Sequence, residues 1–312
     1  MRIECRFWRL AALALVWGSW VRPAAAGEPR PDPATTPANR AQGAVLPDTI
    51  GMSAHPISRR VWELPAVEVM GRRRSPLREE DRIGSYAQPR WTAHRRFTTT
   101  RVYVVPEGFF EFEYWLIPEF ARHGEVGVTI QHEVELGLPG RLQLDLYSVT
   151  HKQGKQGRLS QDEEKVELRW ALARWGALPL NPTLYLEWIG IDRAPDHLEG
   201  KLLLGGEAAP GWHWGVNLVL EHEMGAEQEN SNEVTAGLSR TVADHRLSFG
   251  AESKFAFVDV SASRGHYARE IQLGPSVQFQ PLHRMHVDLV PLFSATEDSP
   301  RTQITCIMGW EF

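Results

Sequence analysis

Between Glu111 and Asp288, acidic side chains recur inside otherwise apolar stretches: Glu111, Glu113, Glu133, Glu135, Asp145, Glu167, Glu187, Glu221, Glu223, Glu252 and Asp288. Two basic residues, Arg169 and Lys254, stand out in the same placement. If the apolar neighbours face one side of a sheet, these charges face the other. Carboxylates gathered on the inner wall of an open pore favour cations. In a closed space they must be paired or protonated, because like charges buried together are costly. A hard divalent ion could sit among Glu133, Glu135, Glu221 and Glu223, but spacing does not show that these converge, so no metal site is assigned. Glu221-His222-Glu223 is not a ligand trio on a strand, since alternation sends His222 to the opposite face. His132, His213, His245, His266, His283 and His286 read as a dispersed, partly exposed set. There is no Gly-x-Ser-x-Gly nucleophile elbow, and Asn230-Ser231-Asn232 falls in an expected loop between Glu229 and Glu233. No catalytic residue and no cofactor is assigned.

The elements that would carry these residues are strands. From Glu125 to Gly137, Val126, Val128, Ile130, His132, Val134 and Leu136 alternate with Glu125, Gly127, Thr129, Gln131, Glu133, Glu135 and Gly137. This is the period-2 pattern of a strand with one apolar face. The same reading marks strands near 108–117, 124–137, 141–149, 164–175, 183–191, 199–208, 212–223, 233–240, 245–257, 269–280, 284–294 and 303–312. Val102 to Val105 could be an extra strand, which would break the even count. Connections alternate along the chain between short (138–140, 176–182, 209–211, 241–244, 281–283) and long or polar (118–123, 150–163, 192–198, 224–232, 258–268, 295–302). Outer-membrane barrels have short periplasmic turns and longer extracellular loops. The fold expected is therefore all-β, an antiparallel up-and-down transmembrane barrel of about twelve strands over 108–312, with both barrel ends in the periplasm. Trp115, Trp170, Trp175, Trp188, Trp212, Trp214 and Trp310 lie near strand ends, where an interfacial girdle belongs.

The last strand adds a more specific signal. Ile304, Cys306, Met308, Trp310 and Phe312 form an apolar face ending in an aromatic. This resembles the C-terminal strand of bacterial outer-membrane proteins. The resemblance implies that Trp310 and Phe312 are read by the barrel-assembly machinery, and that outer-membrane lipid surrounds the wall. The outer-membrane phospholipases among such barrels carry a His-x-Ser-Asn-Gly run that this sequence lacks, so a lipid hydrolase is the least favoured reading.

Ahead of the barrel, Arg2, Arg6 and Arg9, the apolar run Leu10 to Val16 and Ala24-Ala25-Ala26 read as a secretory signal over 1–26, cleaved after Ala26. Its loss removes four Arg and one Glu from 34 basic and 39 acidic residues, taking the formal charge from −5 to −8. That charge excludes a broad phosphate-binding field and hence a nucleic-acid partner. No run after residue 26 approaches the roughly 20 apolar residues of a spanning helix. Cys5 falls in the signal, which leaves Cys306 as a lone thiol on the expected lipid face, with no internal disulfide.

Residues 27–107 are expected to be a periplasmic extension. Residues 27–49 are rich in Pro, Ala and Thr and too poor in apolar side chains to fold. One short strand is allowed near Val67 and Val69. Two readings stand for the basic, aromatic remainder, with Arg72-Arg73-Arg74 and Arg95-Arg96: a solvated connector, or a plug entering the lumen so that its arginines meet the acidic wall. Glu63 to Arg72 (ELPAVEVMGR) resembles the TonB box of TonB-dependent receptors, a peptide that pairs with its energising partner by strand addition. That resemblance implies a TonB-type periplasmic partner, although the chain has no room for the full plug domain and roughly 22-strand barrel of those receptors. The sequence thus favours a non-enzymatic envelope role, a passive small-solute channel or a structural barrel with an acidic lumen. The alternative is a reduced TonB-linked uptake protein.

Overall fold

The computed structural model describes residues 78–312, apart from Lys155, Gln156, Ala226 and His245. Period-2 patterning closes on itself here. Twelve antiparallel strands, each bonded to its sequence neighbours, form a barrel. They are β3 (Phe110–Phe120), β4 (Val126–Leu138), β5 (Leu142–Gln153), β6 (Ser160–Ala171), β7 (Thr183–Ile191), β8 (His197–Ala209), β9 (Trp212–Glu223), β10 (Asn230–Thr241), β11 (Leu247–Asp259), β12 (Ala268–Leu282), β13 (Met285–Ser294) and β14 (Thr302–Glu311). β14 pairs with β3, Trp310 opposite Phe112, so no sheet edge is left open. Two short strands, β1 (Arg82–Ile83) and β2 (Gln88–Pro89), precede the barrel and pair with each other. The short strand anticipated near Val67 and Val69 lies outside the described residues.

The wall is inverted relative to a soluble protein. Leu168, Leu186, Leu220, Leu238, Phe249, Leu273, Phe293 and Met308 point outward and are exposed, while the alternate positions are polar and buried. An apolar exterior with a polar interior is stable only when hydrocarbon surrounds it, so this is an outer-membrane type of barrel. Trp170, Trp212 and Trp310 lie exposed at the end bearing the tight turns, as a girdle requires. Trp188 and Trp214 are half-buried on the same outer face, and two expected girdle members leave it. Trp115 is 8% exposed and lies under the Arg95 guanidinium in the lumen. Trp175 sits in a turn and packs edge-on to Trp91 and Tyr103. The reason is parity for Trp115, which shares the inward face with Glu113.

One connection also departs from the short–long alternation. Residues 172–182, between β6 and β7, form the longest link between barrel strands. Its backbone carbonyl at Ala173 accepts from the Tyr103 hydroxyl at 2.6 Å, so its length serves contact with the lumen segment.

Val102–Val105 is not a thirteenth strand. Residues 78–109 enter at the turn end, rise into the barrel and return to the start of β3. Tyr86, Trp91, Phe97, Val102, Tyr103 and Val104 cluster with Ala171 into an apolar core inside the lumen. The barrel makes room with glycine: a Cβ at Gly237 would meet the Phe97 ring, and one at Gly137 would run into the Pro106 carbonyl. Phe97 is 1% exposed. Truncating a buried Phe costs about 3–5 kcal/mol, and this ring belongs to the segment rather than the wall. Phe97→Ala should therefore leave barrel assembly intact, read as heat-modifiable gel mobility. It should raise the rate of limited proteolysis within 78–109 about a thousandfold, by favouring the undocked state.

Candidate functional site

Antiparallel register, rather than sequence spacing, assembles the acidic wall. Glu311 on β14 lies opposite Glu111 on β3, and Glu111 opposite Glu135 on β4. Glu135 faces Asp145, Asp145 faces Glu167, and Glu167 faces Glu187. Glu187 then faces Glu199, and Glu199 faces Glu221. Because strands in a barrel are tilted and staggered, this cross-strand row climbs as it goes round, from the last residue of β14 at the turn end to the loop-end part of β9. Like charges directly opposite one another destabilise a sheet unless something offsets them.

The wall offsets part of the row itself. Arg169 on β6 bonds Asp145 at 2.7 Å and also pairs with Glu167. Lys165 reaches Glu163 at 2.8 Å and Glu187 at 3.8 Å, and Lys201 reaches Glu199 at 2.7 Å. The row's upper end is held by His197, 2.7 Å from Glu221. Across the lumen Lys254 pairs with Glu233 at 2.7 Å.

The turn-end half is offset differently, by the inserted segment. Arg95 donates to Glu113 at 2.7 Å, Glu133 at 2.9 Å and Glu135 at 2.8 Å, with all four side chains buried. Its guanidinium lies 4.4 Å from the Trp115 ring centroid. Arg101 donates to Glu133 at 2.8 Å, to Glu135 at 3.3 Å and to the Tyr147 hydroxyl at 3.2 Å. Glu252 accepts from the Thr98 and Thr99 backbone N–H groups at 3.1 and 2.8 Å and from both their hydroxyls. At the barrel's turn end Arg96 meets Glu79 at 3.3 Å. Burial pushes the Glu79 carboxyl up, against the lowering effect of the Thr241 hydroxyl and of Arg96.

All thirteen wall residues singled out in the sequence occupy the inner face. Glu113, Glu133 and Glu135 converge on one guanidinium, and Asp145 and Glu167 on another. Glu221 and Glu223 stand apart from them toward the loop end, so the carboxylate quartet weighed for a divalent ion does not converge. Arginine occupies the place where Glu133 and Glu135 would hold one. Asp288 instead bonds His286.

Sequence reasoning missed Glu199, Glu311, Arg101 and His94, since strand register and the course of the inserted segment are not written in local spacing. Two histidines also leave the exposed, dispersed set: His213 is buried against Trp91, and His286 is 1% exposed among carboxylates. Asn230-Ser231-Asn232 opens β10 rather than lying in a loop. His222 Nδ1 lies 2.7 Å from the Asn230 amide, and alternation turns Ser231 to the opposite face. Trp310 is exposed on the outer face of the closing strand, and Phe312 follows it, ring centroid 5.0 Å from Phe110.

No protein-family model matches this chain, and no curated protein does. Among solved structures it is similar to an outer membrane channel from Pseudomonas putida F1, with TM-score 0.49 and 8% identity over 68% of this chain and 98% of that one. It is also similar to the NanC porin, with TM-score 0.47 and 9% identity over 65% and 98%. A third similarity is to LpxR from Salmonella typhimurium, with TM-score 0.38 and 10% identity over 65% and 100%.

Proposed function

We propose that this outer-membrane barrel is a non-enzymatic cation pathway held shut by its own N-terminal segment. One observation carries the reading. The wall neutralises its β5–β8 carboxylates with its own Arg169, Lys165 and Lys201, yet leaves Glu113, Glu133 and Glu135 to arginines of a separate segment. A purely structural interior could have supplied those cations from the wall. When the segment is out, Glu113, Glu133 and Glu135 lose their arginines and leave an acidic patch on the turn-end half of the wall. A ring or row of carboxylates at close quarters admits small cations and repels anions.

The test is a reversal potential across a planar bilayer under a KCl gradient, with the barrel freed of residues 27–107. K+ should permeate in preference to Cl−, and Glu133→Gln with Glu135→Gln should move the reversal potential toward zero. An unchanged potential in a conducting barrel would remove the acidic row from the selectivity mechanism.

A coupled variant of the same reading concerns residues 63–72, which lie outside the described residues and lead directly into the plug. A TonB-type periplasmic partner gripping that stretch by strand addition would pull on the segment that closes the lumen. Deleting 62–71 should then abolish energy-dependent uptake while the barrel still assembles; uptake that survives the deletion removes the partner.

A further inference from the structure

We infer a lateral portal in the barrel wall between β12 and β13, with a groove on its membrane side that takes an acyl chain of a membrane lipid. Pairing between these strands runs through Leu273↔Phe293 and resumes at Val277↔Leu289, and the three positions between are unbridged. Counting inward from either side puts Pro275 opposite Pro291. The ladders on their far sides are unbroken, through Ala251↔Pro275 and Pro291↔Ile304. A proline sits in an unbroken ladder only where its nitrogen faces away from the partner strand. Both nitrogens therefore face the same gap, and neither can donate across it.

Within sheets, proline is confined to edges, strand starts and bulges. A closed barrel has no edge, and both residues lie well inside their strands. A second interruption continues the row: β14 and β3 skip two positions between Gln303↔Glu119 and Cys306↔Leu116, where Pro118 stands. The β13–β14 hairpin thus has a weakened seam on each side. What closes the β12–β13 seam is contact, since a Cβ on Gly274 would run into the Pro291 carbonyl. In hydrocarbon a broken backbone hydrogen bond finds no water to replace it, so a seam held by contact opens at lower cost than a bonded ladder.

The chemistry on the two faces of the seam selects the occupant. Outside, an apolar groove of about 820 Å³ reaches the seam, a volume typical of ligand clefts. Its floor is Ala236, Ala251 and Ser253, its sides are Trp214, Leu273 and Phe293, and Gly274 and Pro275 of the seam line it too. It opens in the wall that hydrocarbon surrounds, so a lipid chain is the molecule at hand to fill it. Inside, Val290, Leu292 and Ile307 are each no more than 1% exposed, whereas β3 and β4 present Glu113 and Glu133 to the lumen. A small cavity behind the seam lies between Ser276 and Val290 of the wall and Thr98 of the inserted segment. An acyl chain entering the seam from the groove stays against apolar side chains. The inference does not depend on the cation pathway.

The test places the full chain in vesicles containing phosphatidylethanolamine whose palmitoyl chain carries a diazirine, and maps the photo-adducts by mass spectrometry. Adducts should concentrate on Leu273, Pro275 and Phe293 over the outward-facing Leu186 of β7, and should reach Val290 and Leu292, which lipid meets only through an open seam. Ala251→Trp fills the floor and should cut the groove adducts about tenfold, the loss expected when about two methylenes go unburied, leaving those at Leu186 unchanged. Pro275→Ala with Pro291→Ala gives the seam back both donors. That pair should abolish adducts at Val290 and Leu292, and the amides introduced at 275 and 291 should resist hydrogen exchange. It strengthens the ladder, so it keeps the proposal testable if Ala251→Trp fails to fold. Adducts spread evenly round the wall would overturn the groove, and groove adducts with none on Val290 or Leu292 would overturn the portal. Cross-linking of two chains through this face would mean that a second copy fills the groove, and would overturn the acyl chain as occupant.

Discussion

Deleting residues 27–107 should turn an electrically silent barrel into one that passes current in discrete steps. The lumen of the intact chain is filled at its turn end by side chains that are buried almost completely: Trp91, Phe97, Val104 and Thr100 are each no more than 2% exposed. Ions cannot cross a packed core, and this one is packed with the segment's own residues rather than with the wall's. Eight-stranded barrels are narrow enough for wall side chains to fill them, whereas barrels of about 16 strands leave an aqueous channel. Twelve strands fall between these cases, which is why a separate segment is needed to seal the interior. Single-channel recording in a planar bilayer checks this, with heat-modifiable mobility confirming that the truncated barrel is folded. Steps in the truncated form and none in the full chain are the expected pair. Silence in both would leave a structural barrel, and steps of equal size in both would mean that the segment does not seal the lumen.

The barrel was legible because its signal is local. Each strand shows period 2 within its own dozen residues, and all twelve expected strands overlap the observed ones, from β3 at Phe110–Phe120 to β14 at Thr302–Glu311. The inner face followed from the same alternation, which is why Glu113, Glu133 and Glu252 could be placed on it one strand at a time. What could not be read is anything set by register. Nothing near Glu199 or Glu311 in sequence says that they complete a row through Glu111, Glu135 and Glu187, because that row exists only once the strands are staggered against each other. The inserted segment was legible only as a choice between connector and plug. Its residues have little regular structure, with β1 and β2 of two residues each. Its position is fixed by contacts such as Thr99 to Glu252, separated by 153 positions along the chain. Trp115 shows how a correct rule misleads when applied alone: aromatic residues do gather at the interfaces, but parity decides which side of the wall they face.

Arg95→Met should be as damaging to the segment as Phe97→Ala, costing about 3–5 kcal/mol of docking free energy, because breaking a buried ion pair strands the remaining charges. Methionine keeps much of the stem's volume, so the loss isolates the guanidinium. Arg95 donates to three carboxylates at once, and its backbone carbonyl also accepts from the Gln278 amide. Arg101 remains near Glu133 and Glu135 but does not reach Glu113, so it cannot take over the whole cluster. A change of that size, about a thousandfold in population, should expose residues 78–109 to protease while the barrel survives. The charge argument makes a second demand. Adding Glu113→Gln to Arg95→Met should restore part of the docking, since the carboxylate left without a cation is gone, and the coupling in that double-mutant cycle should be about 1–3 kcal/mol. Additivity instead would mean that Arg95 holds the segment through packing on Trp115 and not through charge. The acidic wall would then have to be neutral when the segment is docked, and an open pathway would have little reason to prefer cations.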